Sequence, residues 1–475
     1  MASCPAALVV AWLSAARAQP TGAVNSPPLD GAAAPAAPTV RPRISPNRWT
    51  EDWSALADPA LRTGPFAAGK YIPLLPGIPG SYVSLGLSLR ERWEFVAAPS
   101  FGIGDRQDSY LLHRLQAHAD MHLDAHWRVF VQVEDVRAPG KRTITPVDAN
   151  PLDLRLAFLE YTGHLGGATM QARVGRQDIQ FDLQRFLSSR DGPNVRQSFD
   201  AVWVAWDQEP WRVAGFVSRP VQYSPEGAFD DRSNRRFRLS LLRVERGVPG
   251  MGALSAYYVL YERDGAQFLD AAGQERRHVL DARIAGAASG LDWDGEAMAQ
   301  AGTVGPVRVR AWAAGTRVGY TVPAWPWEPR FGLQADAASG DGRSGDGRLG
   351  TFNPLFPNGY YFNLAGFTGY SNLVHLKPSV TVSPAPDLKL ALAVGLQWRM
   401  TTADAVYVQS AAPVPRTAGR GGGWTGAYVQ LRADYEFNAN LAGAIEAVRF
   451  QDGSALRRAG GHDASYLGTE LKMSW

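Results

Sequence analysis

The sequence predicts an all-β fold, a transmembrane antiparallel β-barrel of about eighteen strands of the outer-membrane porin type. Three observations carry this reading. In the closing stretch Tyr466 to Trp475, the residues Trp475, Met473, Leu471, Thr469 and Leu467 share one face, while Ser474, Lys472, Glu470 and Gly468 share the other. A period of two with one apolar and one charged side describes a strand between unlike media. The same pattern recurs along most of the chain in segments of about ten residues, the length of a tilted membrane crossing. The connections between segments alternate short and long, as in barrels with tight periplasmic turns and long outer loops.

From the N-terminus, Ala6–Ala16 is a short apolar stretch that runs into Ala16-Arg17-Ala18, a small-x-small pattern. Residues 1–18 are therefore read as a signal peptide cleaved after Ala18. Cys4, the only cysteine, lies inside it, so the mature chain carries no thiol chemistry and no disulfide, which suits an oxidising periplasm. Residues 19–46 are rich in Ala and Pro and read as a linker. Residues 47–83 hold Trp49, Trp53 and several prolines and are expected to form a periplasmic or plug-like segment.

The barrel is assigned to residues 84–475, with strands near 84–96, 109–123, 126–137, 152–162, 169–179, 197–207, 210–220, 234–246, 252–263, 276–288, 291–301, 307–316, 329–338, 372–383, 387–400, 424–437, 440–451 and 464–475. The clearest is 387–400, where Leu388, Leu390, Leu392, Val394, Leu396 and Trp398 oppose Lys389, Ala391, Ala393, Gly395, Gln397 and Arg399. Tight connections at Asp124–Ala125, Gln208–Glu209, Pro384–Pro386 and Asn438–Ala439 alternate with long ones at Ala138–Pro151, Val221–Ser233, Thr401–Gly423 and Asp452–Asp463. That order puts the N-terminus on the periplasmic side. Two connections depart from it: Gly302–Pro306 is short for its side and Arg317–Glu328 is long.

No apolar run approaches the ~20 residues of a membrane-spanning helix, so a helical membrane protein is excluded. Aromatic residues make up 11% of the chain, and Trp93, Trp127, Trp203, Trp206, Trp211 and Trp398 fall near strand ends, where interfacial girdles place them.

Of 48 basic residues only five are lysines. A GC-rich coding sequence accounts for part of that bias; position accounts for the rest. Arg90, Arg92, Arg114, Arg155, Arg173, Arg236, Arg238, Arg283, Arg308, Arg310 and Arg399 fall on the polar parity. A charge facing lipid at mid-membrane costs ~2–4 kcal/mol, so these side chains are assigned to the lumen. The planar guanidinium matches carboxylates and sulfates, and rings of Arg select anions. Glu94, Asp120, Glu134, Asp281, Asp292 and Glu446 share the lumen, so part of the charge is a structural ladder; the net charge of +3 fits a mixed field.

Two blocks carry a family likeness. The first runs Val174-Gly175-Arg176-Gln177-Asp178-Ile179, Gln184-Arg185-Phe186 and Arg190-Asp191-Gly192-Pro193-Asn194-Val195-Arg196-Gln197-Ser198-Phe199-Asp200. The second is Ala338-Ser339-Gly340-Asp341 followed by Thr351-Phe352-Asn353-Pro354-Leu355-Phe356-Pro357-Asn358-Gly359-Tyr360. Over roughly Leu85 to Trp475 the chain resembles the alginate export family of outer-membrane barrels. The resemblance implies an eighteen-stranded barrel with an arginine-rich constriction through which a polyuronate leaves the cell, and it nominates Arg176, Arg185, Arg190 and Arg196. The tight turn at Asn438–Ala439 departs from the alginate exporter, which has a long periplasmic plug there.

The expected site is therefore an anion-selective constriction built from Arg90, Arg92, Arg155, Arg173, Arg176, Arg185, Arg190, Arg196, Arg236, Arg238 and Arg399, with the connection Asp178–Asp200 folded inward. The expected function is an outer-membrane channel for anionic saccharides, alginate-like polyuronate or related acidic sugars, with no catalytic residues and no cofactor. The alternative is a general uptake porin for small anionic or hydrophobic nutrients. A surface enzyme is disfavoured because no G-x-S-x-G elbow occurs. Asp336, Asp341 and Asp346 with Ser339 form a weak Ca²⁺ candidate whose spacing does not match an EF-hand, so a solvated loop is preferred. His113, His118, His122 and His126 do not share one parity and are not read as a metal site. The expected partners are outer-membrane lipid, an anionic saccharide, and the outer-membrane assembly machinery through the strand ending at Trp475; the address excludes nucleic acid.

Overall fold

The computed structural model describes residues 42–64, 66–103 and 106–475. The signal segment 1–18 with Cys4, and residues 19–41 of the linker, lie outside the described residues. Eighteen long strands follow one another: β1 Tyr82–Ala97, β2 Asp108–His122, β3 Trp127–Arg137, β4 Asn150–Leu165, β5 Ala168–Gln177, β6 Phe199–Gln208, β7 Trp211–Gln222, β8 Phe237–Val248, β9 Gly252–Gln267, β10 Ala272–Ala288, β11 Leu291–Val304, β12 Val307–Thr321, β13 Arg330–Ala338, β14 Leu373–Ala385, β15 Leu388–Trp398, β16 Trp424–Asn438, β17 Leu441–Asp452 and β18 Ala464–Ser474. Each pairs antiparallel with its neighbour in sequence. β18 returns to β1 in the register Ser88↔Ser474 to Ala97↔Ser465, which closes the sheet and leaves no edge.

The burial pattern is inverted relative to a soluble protein. Leu280 is 63% exposed, Ile445 57% and Leu242 53%, whereas Arg90, Arg277 and Glu446 are buried. Outward leucines and inward arginines are stable only if lipid lies outside the barrel. The C-terminal strand alternates as the sequence predicts, with Leu467, Leu471 and Met473 outward and Ala464 and Tyr466 inward.

The two irregular connections are real. β11 and β12 pair without a break from Leu291↔Tyr320 to Val304↔Val307, so the long-loop side carries only a tight turn at 305–306. β12 continues to Thr321, past the predicted end at 316, and a loop at 322–329 follows on the short-turn side.

Eighteen strands about 4.8 Å apart and tilted by about 40° enclose a backbone cylinder roughly 35 Å across. Side chains alone cannot fill that width, so chain from elsewhere enters it. At the short-turn end this is the N-terminal segment. Trp49 packs with Phe130 of β3 and with Leu156 and Phe158 of β4, and the Arg173 guanidinium of β5 lies 4.3 Å over its ring. Arg48 donates to Glu51 at 2.7 Å, to Ser88 Oγ at 2.9 Å and to the Trp475 carbonyl at 2.8 Å. Gly86 makes room for that reach, since a Cβ there would lie 2.8 Å from Arg48 Nη2. Trp49→Ala removes a fully buried aromatic, a loss of ~3–5 kcal/mol. It is expected to release the segment to protease cleavage within residues 47–70 while the barrel stays intact; equal resistance of wild type and variant would refute this docking.

Candidate functional site

Two long connections cross the lumen. Residues 178–198 join β5 to β6, and residues 339–372 join β13 to β14. The first spans the full width. At one wall, Arg114 of β2 donates to the Asn194 carbonyl at 2.7 Å and to Asp191 at 2.8 Å, and Arg90 of β1 donates to Asn194 Oδ1 at 2.9 Å. At the other, Arg185 pairs with Glu296 and with Asp294 of β11, the latter at 3.1 Å. In a ring of eighteen, β2 and β11 are diametrically opposed (11 − 2 = 9). Asp182, Gln184 and Arg190 in this loop adopt left-handed φ of 55°, 57° and 53°. Such conformations persist where surrounding contacts over-determine them.

Contacts from several strands supply that constraint. Asp182 accepts from Arg243 of β8 at 2.9 Å and from Arg283 of β10 at 2.7 Å. Asp178 accepts from Arg155 of β4 at 2.8 Å. The apolar side of the loop (Ile179, Phe181, Phe186, Leu187) joins wall residues and Phe352, Phe356, Tyr361 and Tyr370 of the second loop in one core. The two loops touch through the bridge Leu187↔Phe356. Tyr361 ties them further: it accepts from Arg185 at 2.6 Å and donates to Asp336 at 2.8 Å. Arg196 donates to Asn47 Oδ1 at 2.7 Å, which joins the first loop to the N-terminal segment.

The predicted arginines divide into three groups. Most are inward and tied to the wall or the loops. Arg92 pairs with Glu94 at 2.7 Å and with Glu446 and Glu470; Arg155 with Asp178; Arg173 with Glu160; and Arg196 with Asp191 at 3.4 Å and Asp178 at 3.5 Å. These are rungs of a charge ladder. Arg399 is inward too, but it clamps an outer loop by donating to the Asp404, Thr417, Arg420 and Gly422 carbonyls, so it is not free to meet a solute.

A second group faces outward, against expectation. Arg176 shares the face of Val174 and pairs across strands with Asp200 at 3.0 Å. Arg238, Arg308 and Arg310 lie on the exposed parity of β8 and β12, and Arg236 is exposed just before β8. The physical reason is the loop. The inner wall here meets an apolar surface, so Leu239, Leu241, Val309 and Ala311 point inward. The arginines take the outer face above the mid-membrane band, where charge is not penalised.

The third group holds cations with no carboxylate within 4.0 Å among the described residues. Arg190 lies 5.0 Å over the Phe356 ring and donates to the Leu355 carbonyl at 3.5 Å. Lys377 donates to the Phe362 carbonyl at 2.8 Å, and Arg317 to the Tyr361 carbonyl at 3.3 Å. All three are partly exposed and lean on the second loop. Of these, the sequence nominated only Arg190. Lys377 is one of five lysines and sits at an inward position of β14, a signal that parity alone contained.

The metal candidate does not assemble. Asp336 is buried among Tyr361, Tyr370 and His375; Asp341 adjoins Asp404; and Asp346 accepts the Arg348 amide. The histidines also separate, with His113 on Glu91 and His126 on the Thr162 carbonyl. Asp153, Asp230 and Asp231 do converge, from segments too far apart in sequence to suggest it. Burial pushes Asp231 up to about 7, against the Asn150 hydrogen bond and with help from Asp153. A carboxyl raised in the fold strains it when ionised, so the loop at 223–236 is expected to gain hydrogen-exchange protection as pH falls from 8 to 6. Protection that is flat or falls over that range would contradict it.

The family model for alginate export matches residues 81–470. This chain belongs to the alginate export family. No curated protein matches it. Among solved structures, Pseudomonas aeruginosa OpdO aligns with a TM-score of 0.55 at 10% identity, covering 83% of this chain and 97% of that one. Pseudomonas aeruginosa OccK11 (OpdR) aligns with a TM-score of 0.53 at 12% identity, covering 86% and 98%. At such identities the likeness speaks for the fold alone. Family and fold are of the channel and porin type, and this alginate export barrel lies in the bacterial outer membrane.

Proposed function

We propose that this barrel passes anionic saccharides, alginate-like polyuronate or related acidic sugars, through a constriction made by the loops 178–198 and 339–372. The observation that carries the reading is the group Arg190, Arg317 and Lys377, cations held on the loop surface without carboxylate partners. Of the remaining lumen arginines, Arg399 is spent on loop carbonyls and the others are neutralised by the ladder, so they set the shape of the passage more than its field. A uronate carboxylate is matched by a guanidinium fork, and a positive ring favours anions. No residue acts on the solute chemically. The N-terminal segment serves as a plug at the short-turn mouth, where the tight turn after β16 supplies none.

In planar bilayers with a salt gradient, the wild type is expected to prefer anions. Arg190→Gln combined with Lys377→Gln is expected to abolish or reverse that preference with little change in conductance. Cation preference in the wild type, or unchanged selectivity in the variant, would leave the uptake porin as the better reading.

A further inference from the structure

The outward face of β8–β12 carries charge that the channel does not use. Read across the strands at one level, the directly paired outward positions are Arg238, Glu262, Arg276, Thr303 and Arg308. The next level toward the short-turn end is Ser240, Leu260, His278, Ala301 and Arg310. The level below that is Leu242, Tyr258, Leu280, Ala299 and Trp312, the start of the apolar band, with Leu280 63% and Trp312 45% exposed. Four arginines thus form a strip directly above the lipid-facing surface, on the side of the long loops.

Within these two levels Glu262 is the only acid. It lies 3.9 Å from Arg238 and 3.6 Å from Arg276, and both arginine side chains remain more than half exposed. Arg308 and Arg310 have no carboxylate within 4.0 Å among the described residues. The connections above the strip are the short 268–271 and 305–306; at its edge Arg348 and Leu349 of the second loop pair with Arg308 and Val309, and all four arginines of the strip remain exposed. Gly302 has φ of 152°, and a Cβ there would lie 1.9 Å from the Arg276 carbonyl, so the sheet at this point is built without a side chain.

We propose that this strip is a docking site for a phosphorylated glycolipid of the outer leaflet, with its phosphates on Arg238, Arg276, Arg308 and Arg310 and its acyl chains along Leu242, Leu280 and Trp312. Charge complementarity and level in the membrane argue together: phosphate oxygens suit exposed guanidinium forks, and only a lipid presents phosphate directly above acyl chains. The site is independent of the solute that crosses the lumen.

The test uses the full chain in detergent micelles, with binding of purified bis-phosphorylated lipid A read by native mass spectrometry. The wild type is expected to bind it more tightly than the fully dephosphorylated lipid by about ten-fold or more. Replacing Arg238, Arg276, Arg308 and Arg310 with Ser is expected to remove that difference, whereas Arg449→Ser with Arg457→Ser, elsewhere on the same rim, leaves it in place. Millimolar inorganic phosphate is not expected to displace the lipid. Equal wild-type binding of both lipids would overturn the proposal even if the four-site variant failed to fold. So would a folded four-site variant, judged by heat-modifiable gel mobility, that binds as the wild type does, or an equal loss in the Arg449/Arg457 control.

Discussion

Replacing residues 179–197 with a short Gly/Ser linker is expected to raise single-channel conductance several-fold. This loop crosses from β2 to β11, and with residues 339–372 it occupies a cylinder otherwise roughly 35 Å across. The change unpairs Arg90, Arg114, Arg243 and Arg283 from their loop partners, and it removes Arg185, Arg190 and Arg196 together with Asp182 and Asp191. Anion preference should fall as conductance rises, because the change removes Arg190, one of the three cations without carboxylate partners, and leaves Glu296 without its arginine partner. A larger pore with undiminished anion preference would show that the cations of this loop do not set the selectivity. Unchanged conductance would mean that the loop does not narrow the passage.

Arg185→Ala is expected to have the largest effect of any single substitution on the lumen. The side chain is fully buried and serves Asp294, Glu296 and Tyr361 at once, with Asp336 at 3.9 Å. Removing one partner from a buried ionic network leaves uncompensated charge, at a cost of ~3–5 kcal/mol. The loops 178–198 and 339–372 should then lose hydrogen-exchange protection together, since Arg185 and Tyr361 join them. Adding Glu296→Gln to Arg185→Ala should recover part of that protection by removing one stranded charge. If the double variant is no better protected than the single one, the loss lies in packing and not in charge.

The barrel was legible in the sequence because lipid demands an apolar residue at every second position, and that demand leaves a period the chain cannot hide. The strands of 387–400 and 464–475 show it in full. The inward fold of 178–198 was legible from its length and its arginines. What parity misjudged were Arg236, Arg238, Arg308 and Arg310, because the rule that charge faces the lumen holds only at mid-membrane depth. On β8 and β12 an inward loop makes the inner wall apolar, and depth cannot be read from alternation. Arg176, nominated by the family likeness and not by parity, pairs with Asp200 of the next strand beside it on the outer face. The crossing of 339–372 was hidden too, because its anchors Tyr361 and Tyr370 meet Arg185 and Phe186 of the first loop, contacts that leave no period in the sequence.

Whether acidic saccharides cross at the two loops is decided by adding defined oligouronates to single channels in a planar bilayer. Brief current blocks are expected, with a frequency that rises with oligomer concentration, and neutral oligosaccharides of equal length are expected to produce none. Arg190→Gln with Lys377→Gln should lengthen no block and remove most of them. Channels that conduct steadily through all oligouronate concentrations, or that are blocked equally by neutral sugars, would contradict it.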